Sequence, residues 1–335
     1  MRQGPDPVEG GRGRGLTALR QGYAPVEGGR GLARARAASQ LLDRPEPLRP
    51  AELVRRLLAV QAQDARAVRL ALRARAQGLT QAAIDATDEL LIAWLNRGTL
   101  HLVHRDDHPW LLALTAPTRF ATSRRRLGQE GVPPDNADRA VAIVRDALAS
   151  DAPLARAELA ARISDAGIRT EGQATPHLLM LAALRGVAVM DVHRRFLPAD
   201  PAPAVDRDGA LVELARRYLA AHAPATDRDL AAWSGLPLRD ARAGLRELRE
   251  MPRAATDPIP PRLLPAFDPY LLGWKDRSFA VPPALAKVVH PGGGMVRATA
   301  TIDGIAVGDW DVDDDRFAEE RADVERFLSD PPRAS

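Results

Sequence analysis

Gln61-Ala62-Gln63 is the element of this chain whose residue types and spacing best suit chemistry. In an extended backbone successive side chains alternate sides, so residues two apart point the same way. Two carboxamides on one side could hold a water between them and aim their carbonyl dipoles at a developing positive charge. Neither is a strong base, so the pair suits only a reaction whose leaving group departs easily. The competing reading is structural: Gln61 and Gln63 as caps at the end of a helix Ala51–Val60 and the start of the next.

Other constellations carry less. His101, His104 and His108 surround Asp106 and Asp107 and have the composition of a metal site. The segment passes from strand to helix inside the cluster, so the three rings should not converge. Asp309, Asp311, Asp313 and Glu320 match four positions of a calcium loop. Asp314 stands where that loop needs glycine, and a strand precedes it, so a solvated acidic turn is the better account. Asp268 and Asp276 flank Trp274 and could act as acid and base. A turn at Asp268-Pro269 and an ion pair Asp276-Arg277 explain them more simply. Pro291-Gly292-Gly293-Gly294 reads as a flexible loop, with Arg297 just beyond. The chain has no phosphate-binding Walker loop, dinucleotide fingerprint or Gly-x-Ser-x-Gly elbow.

The elements that must position the glutamines are mostly helical. Ala35–Leu42 and Ala51–Val60 precede them, and Asp64 is placed to cap the helix that follows. Glu89–Leu95 reads as a helix and Thr99–Val103 as a short strand. Asp106/Asp107 with Pro109 mark the start of Trp110–Phe120. A second set runs Ala137–Ala149, Leu154–Ile163 and Thr175–Arg185, then two short strands, Val187–Asp191 and Arg195–Pro198. A third set, Val212–Ala221, Asp227–Trp233 and Leu238–Glu250, has Gly235 at the turn of a helix-turn-helix. After prolines 252, 258, 260 and 261 the pattern becomes β: Ala280–Val289, Val296–Ile302 and, past the tight turn Asp303-Gly304, Ile305–Val312. Arg316–Leu328 is a closing helix. The predicted fold class is mainly α (α+β): three tandem winged-helix units at 32–130, 135–203 and 206–255, then a small β-rich domain at 260–328. Residues 1–31 repeat Pro-Val-Glu-Gly-Gly-Arg-Gly and read as a disordered leader.

With 335 residues, the chain is long enough for several such units. Net charge is only +3, but Lys275 and Lys287 are the only lysines and every other base is arginine. Arginine offers the fork that grips phosphate. The absence of cysteine excludes disulfides, thiolate metal sites and thiol nucleophiles. No apolar run has membrane-spanning length and no signal peptide is evident, which predicts a soluble cytoplasmic protein.

Taken together, several blocks resemble the AlkZ-type winged-helix DNA glycosylases. They are Gln61-Ala62-Gln63 with Arg75 downstream; Arg97-Gly98-Thr99-Leu100-His101-Leu102-Val103 with Asp107 and Trp110; Leu264-Pro265-Ala266-Phe267-Asp268-Pro269-Tyr270-Leu271-Leu272-Gly273 with Asp276-Arg277; and Asp303-Gly304 with Gly308-Asp309-Trp310. Asp309 departs from the threonine often found before that tryptophan. The resemblance implies Gln61 and Gln63 as catalytic residues, and Arg75, Arg97, Thr99, His101, Arg277 and Arg297 as DNA-binding or cleft-lining. It implies a monomer that needs no cofactor or metal and works at the nucleoid on double-stranded DNA carrying alkylated purines. An N7-alkylpurine already bears positive charge and leaves without a general acid, which suits a pair of amides. The rival expectation is a non-enzymatic winged-helix regulator, but such proteins are usually dimers with one recognition helix per half-site. No dimerisation helix is evident here.

Overall fold

The computed structural model describes residues 27–201, 205–246, 248 and 257–329. Among these the chain is mainly helical, with two small antiparallel sheets. The larger sheet has five strands: β1 (Val60–Gln61), β2 (Leu90–Trp94), β3 (Leu100–His104), β4 (Ala188–Met190) and β5 (Phe196–Pro198), in the order β1-β3-β2-β4-β5. Strands from the first two predicted units therefore lie in one sheet, joined where Ile92 pairs with Met190. Two-stranded ribbons are marginal alone, and pooling them gives a sheet with both faces covered. Leu90, Ile92, Leu102 and Met190 enter one core; Leu91, Ala93, Val103 and Val189 enter the other. That division follows the two-residue period of a strand.

Leu90–Trp94 corrects the expectation of a helix at Glu89–Leu95. A short run that is apolar at every position carries no periodicity to separate helix from strand. The expected disordered leader, residues 1–31, overlaps the first helix. The first helix spans Glu27–Ser39, so residues 27–31 are helical, while the rest of the duplicated segment lies outside the described residues. Arg34 pairs with Asp303 at 2.6 Å, Ser39 Oγ donates to the Ala223 carbonyl at 2.6 Å, and Gln40 Nε2 donates to that of Ala221 at 2.7 Å. This helix straps the third helical unit to the C-terminal sheet.

The third unit comprises Arg207–His222, Asp227–Ser234 and Leu238–Leu245, with no strand among the described residues. Thr226 caps the middle helix, and Gly235 ends it at φ 76°. Only glycine adopts that conformation cheaply.

In the C-terminal domain β6 (Arg262–Leu264), β7 (Thr299–Ile302) and β8 (Ile305–Gly308) form the second sheet. Asp303 and Gly304, both at positive φ, make the expected tight turn between Ile302 and Ile305. Ala280–Val289 is not a strand: it holds a 3-10 turn, Pro283–Leu285, and a helix, Ala286–Val289. Pro282 and Pro283 lack the N–H a ladder needs, and proline suits a helix start. The closing helix Ala318–Ser329 presents Glu320 to Arg73 and Arg44 at 2.9 and 3.0 Å. No helix among the described residues is long and apolar enough to cross a membrane.

Candidate active-site cleft

Between the first unit, the third unit and the C-terminal domain lies a cleft of about 560 Å³. Gln61, Gln63, Arg97, Thr99, Phe267, Trp274, Lys275, Arg277 and the loop Gly293–Met295 line it. The glutamines enter it for a local reason. Gln61 pairs with His101 across β1 and β3, and the Ala62 N–H donates to the Leu100 carbonyl at 2.8 Å, extending the ladder by one residue. Ala62 is buried and the residues on either side face the cleft, as the extended spacing predicts. The helix Ala65–Arg73 is capped by Asp64, whose carboxylate accepts from the Ala67 N–H at 2.7 Å. Capping therefore does not employ the glutamines. Neither amide has a hydrogen-bond partner among the described residues, so both retain their donors and acceptors for whatever enters the cleft.

Arg97 and Gly98 turn the chain between β2 and β3, at φ 56° and 77°. Arg97 donates to the carbonyls of Trp233 and Ala232 at the helix-turn-helix, fastening that unit to the cleft edge. The packing is close: a side chain at Gly235 would meet the Arg97 backbone nitrogen at 3.2 Å. Arg119 lies flat on Gly98, its Cδ 3.5 Å from where a Cβ would stand. Burial, then the like charges of Arg277 and Arg119, lower the Arg97 guanidinium from its ordinary pKa. The side chains of Arg97, Arg119, Arg277 and Lys275 have no carboxylate partner among the described residues, although the Lys275 backbone N–H donates to Asp229 at 2.9 Å. Among the described residues the Arg277 guanidinium reaches only His290, Nη1 to Nδ1 at 3.5 Å. Of these cations, Arg97, Lys275 and Arg277 line the cleft, and uncompensated cations there favour an anionic ligand.

Three expectations need revision: those for Arg75, for His101 and for the Asp276–Arg277 pair. Arg75 is fully buried and never reaches the cleft. Its guanidinium forks onto Asp268 at 2.7 and 2.9 Å and also donates to the Ala71 carbonyl and to Gln40. The helix before it packs against the C-terminal domain, so the fork joins two parts of the fold. His101 is buried below the Arg97–Thr99 turn, with Nδ1 2.9 Å from the Thr99 carbonyl. Burial, then the nearby Arg97 charge, push it down to about 3. It braces the cleft floor as a neutral ring and does not line it. Arg297 lies outside the cleft lining but is exposed, which leaves it open to a DNA contact beyond the cleft. Asp276 accepts from the Ser278 N–H and Oγ, both at 2.9 Å, in place of the expected pair with Arg277. Asp268 is consumed by Arg75 and the Tyr270 N–H, and does no acid–base work.

The cleft brings Gln61, Gln63, Arg97, Thr99 and Arg277 together. Sequence reasoning missed Arg119, Arg194, Phe267, Trp274 and Lys275. Phe267 stood inside a quoted motif block and Trp274 directly after it, so aromatic residues suited to base stacking were in view. Arg119 and Arg194 carry no motif, and only tertiary contact places them.

A helix-rich body with an arginine-edged cleft and two unpartnered amides on its wall is the layout of a protein that holds nucleic acid and acts on it. The family model described as DNA glycosylase AlkZ-like matches residues 54–331. The chain belongs to the AlkZ-like DNA glycosylase family, and so is a hydrolase of N-glycosyl bonds in DNA. Among solved structures it is similar to the Streptomyces sahachiroi DNA glycosylase AlkZ, with a TM-score of 0.72 over 90% of this chain and 96% of that chain. The two are 23% identical, a likeness of fold. No curated protein matches the chain.

Proposed function

We propose that this glycosylase removes bulky N7-alkylpurine adducts, or the purine end of an interstrand crosslink, from duplex DNA. It acts as a monomer built from three helix-turn-helix units around a groove, in repair of or self-resistance to alkylating natural products. The observation that carries this reading is the pair of cleft-facing amides, Gln61 and Gln63, with no hydrogen-bond partner among the described residues.

The chemistry follows from what amides can do. The C1′–N9 bond breaks with its electron pair passing to the purine, which neutralises the charge placed there by alkylation. The sugar becomes oxocarbenium-like, as in other glycoside hydrolysis. The carbonyl dipoles of Gln61 and Gln63 stabilise that cation and orient a water toward C1′. The water oxygen bonds to C1′, its proton leaves to solvent, and an abasic sugar and a neutral alkylpurine remain. Because the leaving group is already activated, the reaction needs no general acid. An open cleft, unlike the tight pocket of base-flipping enzymes, leaves room for a large adduct. Phe267 and Trp274 offer faces for a base, and Arg277 and Lys275 offer charge for phosphates.

The test is incubation of the protein with duplex carrying a single N7-alkylguanine, followed by heat or alkali. Strand cleavage at the adduct position supports the reading. An intact strand, with the adduct still on its sugar, contradicts it.

A further inference from the structure

Arg194 sits at the tip of the β4–β5 hairpin, far in sequence from the glutamines. Its φ of 65° is left-handed, a conformation that costs a non-glycine residue energy and persists only where the surroundings impose it. Asp191 imposes it here: one carboxylate oxygen accepts from the backbone N–H groups of His193 and Arg195, both at 2.9 Å. The Arg194 N–H donates to the Asp191 carbonyl at 3.0 Å. The turn aims the guanidinium across 132 positions of sequence, where Nη2 donates to the Ala62 carbonyl and, at 2.9 Å, to the Gln63 carbonyl. No carboxylate forms an ion pair with it among the described residues.

The glutamine segment needs such a partner. β1 is the edge strand of its sheet, and only the Ala62 N–H continues the ladder beyond it. An edge strand leaves carbonyls with no strand to receive them. Arg194 takes that place with one nitrogen bridging two consecutive carbonyls, which ties the peptide planes on both sides of Gln63.

Resting on the reading of Gln61 and Gln63 as the catalytic amides, we propose that Arg194 is a positioning residue for glycosidic hydrolysis. It fixes the Ala62–Gln63 backbone so that both amides address one point in the cleft. It touches no reacting atom, and a cation would not help an oxocarbenium form. Its contribution is geometric, and the second unit's hairpin thereby sets the alignment of the first unit's catalytic wall. A reacting geometry displaced by about 1 Å costs about 100-fold in rate.

The experiment is single-turnover excision of N7-alkylguanine by the full chain, beside a denaturation curve and affinity for undamaged duplex. Arg194→Ala should lose about 10- to 100-fold in the chemical step, with affinity unchanged within about twofold. Arg194→Lys, which keeps a donor on a flexible stem, should recover part of the loss, and it decides the matter if the alanine variant does not fold. In a Gln61→Ala/Gln63→Ala background the same Arg194 substitutions should cost nothing further, since no amides remain to be aimed. The proposal is overturned by an unchanged rate, by a loss that persists in the double-alanine background, or by a loss confined to folding or DNA affinity. If the double-alanine protein excises normally, the glutamine reading fails first. If it is inactive while Arg194→Ala is fully active, only the role of Arg194 falls.

Discussion

The wall around Gln61 and Gln63 and the junction around Arg75 and Asp268 treat polar groups in opposite ways. At the junction both charged side chains are fully buried. The two forked bonds, the Ala71 carbonyl, Gln40 and the Tyr270 N–H take up nearly all their hydrogen-bonding capacity. At the wall two amides face a cleft with no hydrogen-bond partner among the described residues, and the Arg97, Lys275 and Arg277 side chains form no ion pair there. Motif resemblance singled out residues in both regions alike. What separates a site from a structural joint is which of them has donors and acceptors left over. Buried polar groups must be paired to be tolerated, whereas a site keeps its own for the substrate.

The largest effect should come from breaking the joint. Asp268→Ala leaves the Arg75 guanidinium buried without its carboxylate, a change that costs about 3–5 kcal/mol. Chemical denaturation should show that loss, while excision per folded molecule stays near normal. A stable but inactive variant would place Asp268 in the chemistry and erase the contrast.

Acid should sharpen the comparison next. His101, beneath the cleft, and His222, in the aromatic cluster with Tyr218, Trp233 and Trp274, are both pushed down to about 3 by burial, and His108 to about 4. Their ordinary value in an unfolded chain is about 6.5. The unfolded state therefore binds more protons below that pH, and the stability these neutral rings carry is present above pH 6.5 and lost as pH falls toward 3. Each should contribute a slope of about 1.4 kcal/mol per pH unit across that interval. Denaturation midpoints measured from pH 7 to pH 5 should fall, and His222→Phe should flatten the slope. A pH-independent midpoint would mean that water reaches these rings.

The smallest effect concerns the rim. Lys275→Gln and Arg277→Gln should each reduce the dependence of log affinity on log salt by about 0.9 for duplex DNA, without moving the melting temperature. A lower melting temperature with an unchanged salt slope would assign these residues to the joint.

Sequence alone located the glutamines because an alternation of two is a local property, and it placed Asp64, Gly235 and Asp303-Gly304 because caps and turns are local as well. It did not see Arg75 turn inward: a helix pattern tells which face is polar, not which neighbour that face meets. Leu90–Trp94 is apolar at every position, so only its pairing with β3 on one side and Met190 on the other declares it a strand. The fusion of two units' strands into one sheet, and the reach of Arg194 to Ala62 and Gln63, depend on segments distant in sequence. Nothing in either segment announces the other.

The most direct test of the account is single-turnover excision of N7-alkylguanine by Gln61→Ala and Gln63→Ala, with a denaturation curve for each. Loss of a preorganised dipole of this kind costs roughly 3–4 kcal/mol, or two to three orders of magnitude in rate. The account predicts that loss in the chemical step, with stability and affinity for intact duplex almost unchanged. Full excision by the double-alanine variant, or a cost that appears only as about 1 kcal/mol of folding stability, would contradict it.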